Sequence, residues 1–80
     1  MNLQKAAAKR ISELLIKEKI SQYELAKRAN LTKQAISNII NEKYESIKFD
    51  TVFKLADGFN MTILEFLNSD FFNRENIDID

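Results

Sequence analysis

The stretch SQYELAKRANLTKQAISNII, residues 21–40, decides how this chain folds. Ser21 and Glu24 have the spacing of a capping box, so a helix starts there. Leu25 and Ala29 are its inward positions, and Ala26 is small. Asn30 tolerates the left-handed conformation that ends helices, so this helix stops near Ala29. Leu31 then turns inward. Thr32 caps a third helix with Ile36, Ile39 and Ile40 on its buried side, ending around Asn41. Two helices joined by so few residues must cross steeply, with their backbones nearly touching. The crossing needs a small residue (Ala26), the turn a residue that accepts positive φ (Asn30), and the angle apolar locks (Leu25, Leu31, Ile36, Ile39). A bare helical hairpin has less reason to need Ala26, Asn30 and Leu31 together. The pattern predicts helix-turn-helix geometry.

Outward from this core the chain reads as helix throughout. A first helix covers about residues 2–18, with Asn2 as N-cap and Leu3, Ala7, Ile11, Leu14 and Leu15 as one apolar stripe. Lys5, Lys9, Glu13 and Lys17 face water. Residues 41–49 form a polar connection anchored by Ile47 and Phe49. A fourth helix follows over roughly 50–58, with Val52, Phe53, Leu55 and Ala56 facing in and Asn60 as its left-handed exit. Thr62 and Glu65 form a second capping box, opening a fifth helix with Ile63, Phe66 and Leu67. The tail, SDFFNRENIDID, lacks a helical period; only Ile77 to Asp80 alternates like a strand.

With 80 residues the chain is long enough for one small domain and a modest core. It has no Cys and no His, which removes thiol chemistry, the commonest general base and the commonest metal ligand. No Gly-rich phosphate loop or metal-spaced cluster is present, so an enzyme, a metal site or a cofactor is not expected. Glu13 with Glu24, or Asp78 with Asp80, are better explained by a solvated face and a cap than by paired acid and base. No apolar run approaches a membrane span, no signal segment is seen, and the lack of Cys fits a cytoplasmic setting. Nothing suggests a small-molecule ligand. The formal net charge is zero but unevenly spread: residues 1–43 carry +5 and residues 44–80 carry −5. Such asymmetry hints at one surface meeting a polyanion.

On these residues the chain resembles the Cro/phage-repressor helix-turn-helix family, also called the xenobiotic-response-element (XRE) family. The resemblance is carried by Ile11 and Leu14, by ISQYELAKRANLTKQAISNII (20–40) and by DTVFKLADGFNMTILEFL (50–67). It implies an all-α, compact five-helix bundle of the lambda-repressor-like type. The DNA-binding domain would be residues 1–68, with 69–80 a short acidic tail, docked, frayed or at a dimer interface. It also implies a bacterial or mobile-element transcriptional regulator, a repressor that binds double-stranded DNA as a homodimer on an inverted repeat.

The third helix would then lie in the major groove, with Lys33, Gln34, Ser37 and Asn38 meeting base edges. Gln and Asn can pair with adenine, and Lys can donate to both acceptors of guanine. Gln22, Asn41, Lys43 and Tyr44 fall at the family's phosphate-contacting positions. Phe66, Leu67, Phe71 and Phe72 are the dimer candidates. Lys27 and Arg28 are left out, because their helix turns them toward solvent. Where many relatives carry Gly, this chain has Lys19, Glu42 and Asn30, so those turns are expected to be strained or differently shaped. Where many carry a buried Arg–Glu pair it has Leu15 and Ile40, which are expected to touch. The acidic second half should face away from DNA. The rival reading is a protein-interaction module, antitoxin-like or an accessory partner, that keeps the fold with little DNA binding. Its support is the neutral total charge, Glu42 and the hydrophobic tail.

Overall fold

The computed structural model describes residues 1–78. Five α-helices lie among them: α1 (Leu3–Glu18), α2 (Gln22–Ala29), α3 (Lys33–Ile40), α4 (Phe49–Gly58) and α5 (Ile63–Leu67). Two 3₁₀ turns follow, Asp70–Phe72 and Arg74–Asn76. None of these helices is long and apolar enough to cross a membrane. Ile11, Leu14, Leu25, Ile36, Leu55 and Phe66 form the fully buried centre, so α1 through α5 all contribute to one core. Leu15 and Ile40 are half-buried and pack against that same cluster.

The helix starts follow the sequence. Asn2 Oδ1 accepts from Lys5 N at 2.8 Å, and Thr32 Oγ1 from Ala35 N at 3.0 Å. The box at Thr62 is complete. Thr62 Oγ1 accepts from Glu65 N at 3.1 Å, and Glu65 Oε1 accepts from Thr62 N at 2.8 Å. Hydrogen bonding to the carboxylate from the Thr62 backbone N–H first, and from the Thr62 side chain second, holds the Glu65 carboxyl below its ordinary pKa. At Ser21 only half a box forms. Ser21 Oγ accepts from Glu24 N at 3.0 Å, but the Glu24 carboxylate turns forward to Arg28 at 3.3 Å and Lys27 at 3.8 Å. Cations one turn ahead compete for the carboxylate that would otherwise reach back to the Ser21 N–H.

The helix ends share one device. Lys19, Asn30, Glu42 and Asn60 all have φ of 56–57°, in the left-handed region. At each, the next amide closes on a carbonyl five residues back: Ile20 to Leu15, Leu31 to Ala26, Lys43 to Asn38 and Met61 to Ala56. These are Schellman closures. The turns therefore keep the shape that Gly would give, and Lys19 and Glu42 bear the Cβ clash that Gly would not. Replacing either with Gly is expected to raise stability by roughly 0.5 kcal/mol, the relief of strain being offset in part by a freer unfolded chain. Thermal denaturation of the two single variants checks this; a loss of stability would show the strain to be absent.

The one glycine works differently. Gly58 is buried at the end of α4, where an added Cβ would sit 2.9 Å from Leu25 Cδ1, 3.0 Å from Ala29 Cβ and 3.2 Å from Ala29 N. It lets α4 press against α2, the helix that positions α3. Gly58→Ala is expected to cost ~1–3 kcal/mol in overpacking against ~1 kcal/mol regained in helix propensity, a net loss read from a lowered denaturation midpoint.

That close approach corrects the reading of α4. Phe53 was expected to face in and Phe49 to anchor the connection, yet they are 58% and 73% exposed. Gly58 lies five residues beyond Phe53, about 140° around the helix. Pressing the Leu55–Gly58–Phe59 side onto α2 turns Phe49 and Phe53 outward. Leu3, at the start of the α1 stripe, is likewise exposed, whereas Ala6, Ala8 and Arg10 are buried in addition to the expected Ala7, Ile11 and Leu14.

The extra burial on α1 comes from α5 and from the chain's end. Residues 69–78 return to pack on α1 and α5. The Phe72 ring lies 6.3 Å from that of Phe66, Ile77 is buried, and Asp78 N donates to Met1 O at 2.8 Å. The Met1 ammonium donates in turn to Asn76 O at 2.8 Å. Ile79 and Asp80, the end of the alternating run, lie outside the described residues. Arg10 is the hub of this region. Its Nε donates to Phe66 O at 2.7 Å, one terminal nitrogen to Glu65 O at 2.9 Å and the other to Glu13 Oε1 at 2.8 Å. It therefore satisfies carbonyls at the end of the short helix α5.

Candidate nucleic-acid interface

Helix α3 presents its first turn to solvent. Thr32 caps it, Ile36 and Ile39 face the core, and Lys33 and Gln34 are exposed. Ser37 and Asn38 are half-buried on the same side. The structure brings Lys33, Gln34, Ser37 and Asn38 together on one face, as the helical spacing requires.

That face is pre-ordered by hydrogen bonds between side chains. Gln34 Nε2 donates to Asn38 Oδ1 at 2.9 Å, and Asn38 Nδ2 donates to Tyr44 Oη at 3.3 Å. The amide orientations are those that satisfy this network. Gln34 keeps its carbonyl oxygen and one N–H free, one acceptor and one donor side by side, which is the pattern that matches an adenine edge. Asn38 spends one N–H on Tyr44 and one lone pair on Gln34, so it is the more committed of the two. Tyr44 retains its own O–H to donate. Ser37 Oγ accepts from Asn41 Nδ2 at 3.2 Å. A held side chain loses less rotamer freedom on meeting a ligand, so the network favours a fixed pattern of donors and acceptors.

The exit of α3 differs from the other three left-handed helix exits. In the closures after α1, α2 and α4 the closing residue is apolar and half-buried: Ile20, Leu31 and Met61. After α3 it is Lys43, which is exposed. An apolar residue is the usual companion of this turn. Here a cation stands instead, beside the face formed by Gln34, Asn38 and Tyr44. Asn41 and Tyr44 are exposed as well. Gln22 is half-buried in the first turn of α2, where backbone N–H groups lack intrahelical partners. Lys27 and Arg28, set aside from the sequence, are solvent-exposed and paired with Glu24. Glu42 is turned toward α1, where it lines a shallow depression with Lys5, Lys9 and Ile16.

Among the dimer candidates, Phe66 is fully buried and faces the core. Leu67, Phe71 and Phe72 are half-buried, and Leu64, which the sequence left out, is exposed. Lys48 was also left out. It sits at the N-cap of α4, where its side chain makes no capping bond, and it lines one hollow with Tyr44 and Ile39. A cation at a helix N-terminus opposes the helix dipole, which marks it as a residue not chosen for helix stability. A lone Lys in a polar connection gave no signal in the sequence. Among the described residues no group of His, Cys, Asp or Glu is placed to hold a metal ion.

No curated protein matches the chain. Among solved structures, a point mutant of the restriction-modification controller protein C.Esp1396I is similar in fold, with a TM-score of 0.76 at 19% identity over 84% of this chain and 86% of that one. The profile of the Cro/C1-type helix-turn-helix DNA-binding domain matches residues 10–70, from Arg10 in α1 to the first 3₁₀ turn. The chain belongs to the Cro/C1-type helix-turn-helix DNA-binding domain family.

Proposed function

We propose that this protein is a sequence-specific transcriptional regulator of bacterial or mobile-element origin, cytoplasmic, acting as a repressor, which binds an inverted repeat as a homodimer. The observation that carries this reading is the Gln34–Asn38–Tyr44 network on the open face of α3. Its free donor and acceptor fit a base edge better than they fit a solvated helix. The fold shared with a restriction-modification controller protein supports a regulatory role.

In this reading α3 enters the major groove. Gln34 pairs with adenine, Lys33 donates to guanine, Ser37 adds a contact of low specificity, and Asn38 aligns Gln34 while offering its second N–H. Lys43, Asn41, Tyr44 and Gln22 meet phosphates and set the register, with Lys48 added to them. Glu42, facing α1, stays clear of the backbone it would repel. A two-fold dimer places its α3 helices about one helical turn, ~34 Å, apart. Phe71 remains a candidate for the subunit contact, with the exposed Leu64 of α5 added, whereas Leu67 and Phe72 pack against the core cluster.

The test is selection of bound sequences from random duplex DNA, with wild type and Gln34→Ala. Gln34→Ala is expected to lose ~1–3 kcal/mol at the preferred site and to relax choice at one base position in each half-site. Unchanged affinity and selectivity would remove α3 as the reading helix.

A further inference from the structure

We propose that the groove between α1, α4 and α5 is an effector site for a small apolar molecule with a cationic or hydrogen-bond-donating end. The groove has a volume of about 440 Å³. That lies within the ~300–1,000 Å³ of small-molecule pockets. Its walls are Leu3, Ala7, Val52, Phe66, Leu67 and Phe72, and its mouth carries the exposed Phe49. Polar groups converge only at the rim, where Gln4, Ser46 and Glu45 stand. Glu45 is the one charged side chain among the lining residues, so the complementary ligand end is a cation or donor rather than an anion. The lining encloses a small-molecule volume with a single acid among its residues, which fits a small molecule with a cationic or donating end. No feature of the sequence signals this site, because its walls come from four separate segments.

The site is built against the reading face. Ser46 and Ile47 line the groove on one side, and on the other they line the hollow that holds Tyr44, Lys48 and Ile39. Ser46 and Ile47 thus separate the ligand from the hollow lined by Tyr44, the tyrosine that hydrogen-bonds Asn38. A ligand that pushes Ser46 and Ile47 moves Tyr44 and the Gln34–Asn38 pair with it. This coupling rests on α3 being the reading helix; the pocket itself does not.

The experiment uses the full chain without DNA. N-phenyl-1-naphthylamine, a neutral apolar probe with one N–H, is titrated by fluorescence. Saturable one-to-one binding is expected. It should be at least tenfold weaker in Val52→Phe, which fills the groove. It should also be several-fold weaker in Leu3→Glu, which charges the exposed mouth and leaves the core intact. 1-Naphthylmethylammonium should displace the probe at tenfold lower concentration than 1-naphthoate, and Glu45→Gln should abolish that difference. In amide NMR spectra the Asn38 side-chain NH₂ and the Tyr44 and Ser46 amides should shift on probe binding. Absence of saturable binding, equal binding to both variants, or equal displacement by cation and anion overturns the site. Binding with unmoved Asn38 and Tyr44 signals overturns the coupling. Self-association that Leu3→Glu abolishes, together with probe binding that fades as protein concentration rises, assigns the groove to a second copy and also overturns the proposal. Failure of the α3 reading appears separately, as unchanged DNA selection in Gln34→Ala.

Discussion

Arg10→Ala is expected to lower the stability of the domain by about 3 kcal/mol, a large fraction of what a chain this size holds. Arg10 is nearly buried and makes three hydrogen bonds, two of them to the backbone carbonyls of Glu65 and Phe66. Removing it strands the Phe66 carbonyl, while Glu65 O keeps the Asn68 N–H at 3.2 Å; a buried polar group so stranded costs ~1–3 kcal/mol. It also removes the guanidinium 5.9 Å from the centre of the Phe66 ring and the packing of its stem. The Glu13 pair contributes least, because Glu13 is about half exposed. Arg10→Lys should recover less than half of the loss, since an ammonium cannot reproduce the fork that serves two carbonyls and a carboxylate at once. The measurement is denaturant unfolding with midpoint and slope compared among the three proteins. A loss below ~1 kcal/mol would mean that α5 and the tail hold together without this residue.

DNA affinity is expected to fall roughly a hundredfold between 50 and 200 mM salt, following about four neutralised phosphates per dimer. The number is small because the interface is sparing with charge. Lys33, Lys43 and Lys48 stand at or beside the reading face, while Lys27 and Arg28 are paired with Glu24. Lys43→Ala should weaken binding to all sequences alike and reduce the slope of log affinity against log salt by about two, one for each subunit. The contrast with Gln34→Ala is the diagnostic: one change alters the slope and not the preferred sequence, the other the sequence and not the slope. An interaction module that only keeps the fold would show almost no binding to random duplex at either salt concentration.

The helix-turn-helix was legible because its evidence is local. Ser21, Asn30, Thr32 and Thr62 each act within three or four residues of themselves, and each takes the cap or turn that its side chain allows. The shared outer face of α3 was legible for the same reason: Gln34 and Asn38 are one helical turn apart. Their link to Tyr44 was not. It depends on Glu42 adopting positive φ and folding the chain back, a conformation that a Glu does not advertise. Lys48 escaped notice because its place beside Tyr44 arises where the 44–48 segment meets α3. Phe49 and Phe53 were misread because an apolar pattern shows which residues favour burial, not how many of them the neighbours can cover. Arg10 was missed because a charged residue at a helix position reads as solvent-facing until a distant carbonyl is found for it.

The sequence alone therefore determined where the helices begin and end, how α2 and α3 meet, and which side chains share the outer face of α3. These follow from interactions spanning a few residues, where cap chemistry and helical period are nearly sufficient. Tertiary structure decided the rest. It turned Phe49 and Phe53 out by seating Gly58 on α2, folded residues 69–78 onto α1, gave Arg10 its carbonyls, and joined Tyr44 to Asn38. Each of those outcomes depends on surfaces that come into being only when segments far apart in the chain pack together.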